Sequence, residues 1–175
     1  MIERTLQELA DWYVEAEQNE PRMRLLSKLT LLELCGWIEG EFDRLARLVA
    51  KGRIEDRNWV ERNVIARTYG FDYERHWRSM LVTLVGEVFA RRIESRHNTD
   101  FPGELERIKN MLGMLSKSRN AFAHSDINTN IETQQTFYAP SALIQQHETF
   151  ARLISSYEKS ITDELTGIGI SQFVT

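Results

Sequence analysis

From Met23 to Lys51 the chain carries no proline, and its apolar side chains recur every three or four residues. Leu31, Leu34, Ile38, Phe42, Leu45 and Val49 form one stripe; Leu25, Leu29, Leu32 and Gly36 form another. Residues three or four apart share a face of an α-helix, whereas a strand would need a period of two. The run therefore predicts one long helix that stops at Gly52. Two apolar stripes predict that it is central, packed on both faces, so the rest of the chain has to supply elements that cover it.

The remaining sequence answers with more helical patterns. The only prolines, Pro21, Pro102 and Pro140, each separate two of them. Helices are expected over residues 3–18, 23–51, 57–69 (ending at Gly70) and 72–96. A loop at 98–103 then leads into a helix from Leu105 onward. Residues 125–139, rich in Asn, Thr and Gln, read as a loop, and Pro140 opens a last helix to about residue 165. Period-two alternation is scarce, so strands are not expected, except in the stretch 168–174. The fold class is all-α: a bundle of about five to six helices with an up-and-down core. Residues 1–175 read as a single domain with its core over about 22–163 and a tail over 166–175.

Composition narrows the function. The net charge of −4 argues against coating nucleic acid through the overall field, but leaves room for a local basic cleft. The single cysteine, Cys35, lies in an apolar run and reads as a reduced core residue, which points to a reducing, cytoplasmic setting. No apolar run approaches membrane-spanning length, so no membrane partner is expected. The N-terminus is acidic and amphipathic rather than basic and then apolar, so no secretory signal is expected.

Two charges interrupt the apolar pattern. Leu105, Ile108, Leu112 and Leu115 form a stripe whose next position is Arg119, and Glu39 falls where the second stripe of the long helix continues. Burying either charge alone is costly, so the two are expected to meet as a partly buried pair lining a cleft. Asn120 follows Arg119, and His124 lies four residues beyond Asn120, on the same face if the helix persists. Arginine presents a planar fork of donors to phosphate oxygens, and histidine moves protons near neutral pH. Arg119, Asn120 and His124, supported by Glu39, are thus the candidate catalytic residues. The plainer alternative is that Arg119 and His124 only satisfy the last carbonyls of their helix.

The run Arg119-Asn120-Ala121-Phe122-Ala123-His124 resembles the Arg-x4-His motif of the HEPN superfamily, the higher-eukaryote and prokaryote nucleotide-binding domains. The apolar stretch from Leu31 to Gly40, with its Glu39-Gly40 pair, and the polar loop before Ala139-Pro140-Ser141 are also similar. The resemblance covers roughly residues 22–163. It implies a HEPN-like helical bundle and a homodimer with two motifs facing each other across a shared cleft. It also implies a metal-independent endoribonuclease that leaves 2′,3′-cyclic phosphate and 5′-hydroxyl ends. The setting implied is toxin–antitoxin or phage defence, with RNA as substrate and an antitoxin protein as a further partner. In the toxins of this kind that pair with a nucleotidyltransferase, a tyrosine often follows the histidine; here Ser125 and Asp126 do.

The other candidates are less specific. Arg91, Arg92, Arg96 and Lys117 are candidate substrate-binding cations, although a basic run at a helix end is more often solvated. Glu94 and His97 have the spacing of di-iron bundles, but such sites need a second copy, so no metal and no cofactor are expected. His76 and His147 read as surface or packing residues. Trp37, Trp59 and Trp77 read as core, Trp12 as packing the first helix, and Gly36 and Gly40 as allowing close helix contact. Two functions stand: a HEPN-type endoribonuclease, and a catalytically silent HEPN-like dimer that binds RNA, a nucleotide or a protein.

Overall fold

Asn19 starts the long helix earlier than expected. Its side chain accepts the Arg22 backbone N–H at 3.2 Å, and Pro21 sits in the first turn, where a missing N–H costs no hydrogen bond. The computed structural model describes residues 2–51, 53–123 and 138–167. Within them the protein is all-α. The helices are α1 (Ile2–Glu15), α2 (Glu20–Ala50), α3 (Arg57–Asn63), α4 (Ser79–Val85), α5 (Glu87–Asp100), α6 (Glu104–Ala123) and α7 (Pro140–Gly167). The expected stop at Gly52, the strand option at 168–174 and most of the polar loop lie outside the described residues.

Several boundaries differ from expectation for local reasons. α1 ends at Glu15, not near residue 18, because Glu17 and Gln18 turn at positive φ. The third helix is shorter, and a 3-10 turn, Ile65–Arg67, follows it. The single helix expected over 72–96 is broken. Asp72 caps a π-helical turn, Tyr73–Arg78, that leads into α4, and Gly86 then interrupts at φ 81°, ψ 160°, a conformation closed to most L-residues. α5 resumes and runs to Asp100, which shortens the expected loop to three residues.

The core forms around one face of α2. Leu31, Leu34, Ile38, Phe42, Leu45 and Val49 are buried, as the first stripe predicts. Phe42 stacks on Trp77 at 5.4 Å, and Tyr157 of α7 meets Trp77 edge-on. A smaller cluster of Leu9, Ala16 and Leu26 joins α1 to α2. The second stripe is a correction: Leu25, Leu29 and Leu32 remain 49%, 38% and 39% exposed, so α2 is covered on one side and bare on the other. Gly36 and Gly40 lie on that bare side. A Cβ at either would meet no atom of the described residues within 4 Å, so nothing among them requires their small size. Trp59 is exposed, whereas Trp77 is core and Trp37 lies edge-on to His147 at 4.4 Å.

Polar groups inside the bundle are tied into a network. The Tyr73 hydroxyl donates to Glu94 at 3.0 Å and meets the Tyr157 hydroxyl at 3.1 Å. Burial pushes the Tyr157 hydroxyl up to about 12. Arg78 holds Glu94 at 3.0 Å and Glu87 at 2.8 Å. His97 is buried with Nδ1 3.0 Å from the Ser160 Oγ, which donates onward to the Ser156 carbonyl. His97 Nδ1 is therefore the donor, and Nε2 is buried without a hydrogen-bond partner among the described residues. His147 is buried too, its Nε2 3.8 Å from a Glu3 carboxylate oxygen.

Burial lowers the pKa of both histidines, against the opposing pull of Glu104 and Asp100 on His97 and of Glu3, Glu148 and Glu41 on His147. The folded state then binds fewer protons than the unfolded chain between the lowered values and about 6.5. Stability contributed by the neutral rings is fully present above that pH and falls as the solution is acidified through it. Urea unfolding at pH 7.5 and pH 5.5 should show a lower midpoint at the acidic pH, with a smaller loss in His97→Gln than in the wild type. Equal midpoints for the wild type would contradict this account.

Candidate functional site

The side of α6 that carries Leu105, Ile108, Leu112 and Leu115 into the core continues through Arg119 to the buried Phe122. Arg119 thus sits where an apolar residue belongs, facing Glu39 of α2. Its Nη2 lies 3.6 Å from Glu39 Oε1, with the two side chains 41% and 36% exposed. The expected pair forms, half-buried and slightly longer than a hydrogen bond. Glu39 Oε1 itself is shut off from solvent and, among the described residues, accepts no hydrogen bond, so within them the pair is an ion contact with one unsatisfied oxygen.

Among the described residues, Phe71 and Cys35 also interact with Arg119. Its guanidinium carbon lies 5.8 Å from the centre of the Phe71 ring, a cation–π arrangement. Phe71 is placed by the turn before it: Gly70 has φ +116°, and a Cβ there would meet the His76 ring at 2.8 Å. His76 Nδ1 accepts the Asp72 N–H at 2.9 Å, which fixes the ring against Gly70. Cys35, a free buried thiol, is the second neighbour. Burial pushes it up to about 12, while the Arg119 charge works against that shift and Glu39 adds to it. One turn beyond Glu39, burial raises the pKa of Asp43; Arg47 opposes the shift, and Glu61 and Glu39 reinforce it. Phe71 carried no local signal in the sequence, since only the turn at Gly70 and the approach of α6 bring it here, whereas Asp43 stands one turn along α2 from Glu39.

The other predicted residues divide. Asn120 is exposed beside Arg119 on α6. His124 lies outside the described residues. Lys117 is exposed two residues before Arg119, roughly 200° around the helix and so on nearly the opposite side. Arg91 pairs with Glu87 at 2.7 Å, and Arg92 pairs with Glu164 at 2.6 Å. Arg96 lies between Glu164 at 3.5 Å and Asp100 at 3.6 Å. Among the described residues these three arginines join acids of α5 and α7, and no ion pair or hydrogen bond connects them to Arg119 or Glu39. Glu94 is held by Tyr73 and Arg78 while His97 turns to Ser160, so the two do not point at a common ligand. Among the described residues no three His, Cys, Asp or Glu side chains are grouped to hold a metal ion, and no helix is long and apolar enough to cross a membrane.

Comparison with known proteins finds no significant match to a family model, a curated protein or a solved structure.

Because the Glu39–Arg119 pair is more than a third exposed on both sides, solvent screens it. Glu39→Gln should change the unfolding free energy by less than about 1 kcal/mol, far below the roughly 3–5 kcal/mol expected for breaking a buried pair. Chemical denaturation of the two proteins at pH 7.5 checks this, and a loss in the larger range would show that the pair is desolvated in solution.

Proposed function

We propose that the protein is a metal-independent endoribonuclease of the HEPN type, acting as a homodimer. The observation that carries the reading is the placement of Arg119. It is a permanent cation at an apolar-stripe position, steadied by Glu39 and Phe71, half open to solvent and next to the exposed Asn120. A cation meant only to hold the bundle together would gain more from a hydrogen-bonded, better-shielded partner. Arg119 is instead left able to take a phosphate oxygen, with Glu39 as a positioning residue rather than one that touches RNA.

In the proposed reaction Arg119 and Asn120 hold the scissile phosphate, and His124 accepts the proton of the adjacent 2′-hydroxyl. The 2′-oxygen forms a bond to phosphorus, and the guanidinium stabilises the charge that builds on the phosphorane. The bond to the 5′-oxygen then breaks, and that oxygen takes a proton from an acid, supplied by protonated histidine or water. The products are a 2′,3′-cyclic phosphate and a 5′-hydroxyl. A setting in toxin–antitoxin or phage defence, with an antitoxin protein as partner, follows from the resemblance of the motif.

One observation favours the second reading, a silent HEPN-like dimer that binds RNA, a nucleotide or a protein. Arg91, Arg92 and Arg96 are engaged by carboxylates, so they add little free positive charge for a long RNA.

Purified protein should cleave single-stranded RNA in excess chelator and leave the cyclic phosphate, while DNA of the same sequence resists because it lacks the 2′-hydroxyl. His124→Ala should slow cleavage by about 10²–10⁴-fold. Arg119→Ala should cost on the order of 10²–10³-fold, and Asn120→Ala less. Each variant is to be checked for its helical circular-dichroism signal first. Undiminished cleavage by His124→Ala, or activity only with added magnesium, would rule out the mechanism. No cleavage of several RNAs by folded wild-type protein would favour the binding module.

A further inference from the structure

The bare face of α2 has a symmetry of its own. Leu25, Leu29, Leu32 and Gly36 follow one another at spacings of four, three and four, on one side of the helix. The three leucines remain exposed, and no element of the described chain covers them. Arg22 and Glu33 flank this stripe. Eleven residues make three helical turns to within about 20°, so both charges lie on the same side of the stripe, roughly 16 Å apart along the helix. Both are exposed, and among the described residues neither forms an ion pair. Many other charged side chains of α2 have one: Arg24 with Glu20, Arg44 with Glu41 and Glu158, and Arg47 with Glu61.

We infer that this face is the contact with a second copy of the chain, packed antiparallel about a two-fold axis between Lys28 and Leu29. An axis there brings Leu25 opposite the partner's Leu32 and Leu29 beside the partner's Leu29. It also sets Glu33 within about 3 Å of the level of the partner's Arg22, on the same side of the stripe. Each two-fold pair is then leucine with leucine or acid with base. An unrelated partner would not require Arg22 and Glu33 to be placed symmetrically about the leucines. Gly36, with open space where a Cβ would stand, lets the partner's first turn come close. Lys28 flanks the opposite side and faces its own copy; its long stem carries the ammonium out to solvent.

This pairing does not rest on the ribonuclease reading, but it bears on it. Glu39 is about ten residues from the axis, roughly 15 Å along α2, so the two Glu39–Arg119 pairs stand about 30 Å apart. Each cleft is then built by one chain, in place of the shared cleft that the resemblance implies.

Sedimentation and site-directed cross-linking test the pairing without any RNA. The wild type should be a dimer at micromolar concentration. Leu29→Asp should raise its dissociation constant by roughly two orders of magnitude with the helical signal unchanged. Arg22→Glu and Glu33→Arg should each weaken the dimer by roughly tenfold, since two like-charged pairs result, and the double variant should return to within about threefold of the wild type. Cysteine at position 29 should form an inter-chain disulfide under mild oxidation, while cysteine at position 120 should not; Cys35 is buried and stays out of the reaction. A wild-type monomer at tens of micromolar overturns the proposal. So does a dimer indifferent to Leu29→Asp, or one that cross-links through position 120 and not 29. RNA cleavage by a stable monomeric Leu29→Asp protein would leave the ribonuclease chemistry intact and remove the homodimer from that reading, whereas a wild type that dimerises but cleaves no RNA would leave the pairing intact.

Discussion

The one-sided burial of α2 is the constraint from which the rest follows. A 31-residue helix that buries Leu31, Leu34, Ile38, Phe42, Leu45 and Val49 on one face orders the elements around it. α7 brings Phe150 to the Trp37–Phe42 region, α4 follows the π-helical turn that places Trp77 on Phe42, and α6 delivers Arg119 to Glu39. Burial of that apolar face supplies the main favourable term, since each fully buried large aliphatic side chain contributes about 1.5–3 kcal/mol relative to exposure. Whatever lies on the opposite face is left to solvent or to another molecule.

Charge is organised differently inside and outside the candidate site. Between the π-helical turn, α5 and α7, carboxylates and guanidinium groups meet at hydrogen-bond distance: Arg78 with Glu87 and Glu94, and Arg92 with Glu164. The Glu87 carboxylate, held by Arg78 and Arg91, is pulled down to about 2. At Glu39 and Arg119 the contact is longer, both side chains are half-open, and one carboxylate oxygen has no donor among the described residues. A pair of this kind adds little to stability.

Much of this was legible in the sequence, and the reasons are local. Helical spacing is a property of neighbouring residues, so the buried stripes of α2 and α6 and the interruption at Arg119 could be read directly. The Glu39–Arg119 contact followed because each charge interrupts an apolar stripe. The break at Gly86 was missed because the residues on either side keep a helical pattern and one glycine within it is tolerated. The second stripe of α2 misled for a different reason: periodicity records that a face is apolar, not whether the same chain covers it. Arg92 and Arg96 of α5 read as part of a basic run because their partner Glu164 is distant in sequence.

The sequence by itself determined the helical class, the buried face of α2 and the identity of the charges that break the apolar pattern, because these depend on spacing within a few turns. Only the tertiary structure decided that Phe71 lies beneath Arg119, that Arg92 and Arg96 are drawn to Glu164, and that Leu25, Leu29 and Leu32 stay bare. Those outcomes depend on which elements pack together. Packing is set by the summed fit of faces across the whole bundle, a quantity no single stretch of sequence contains.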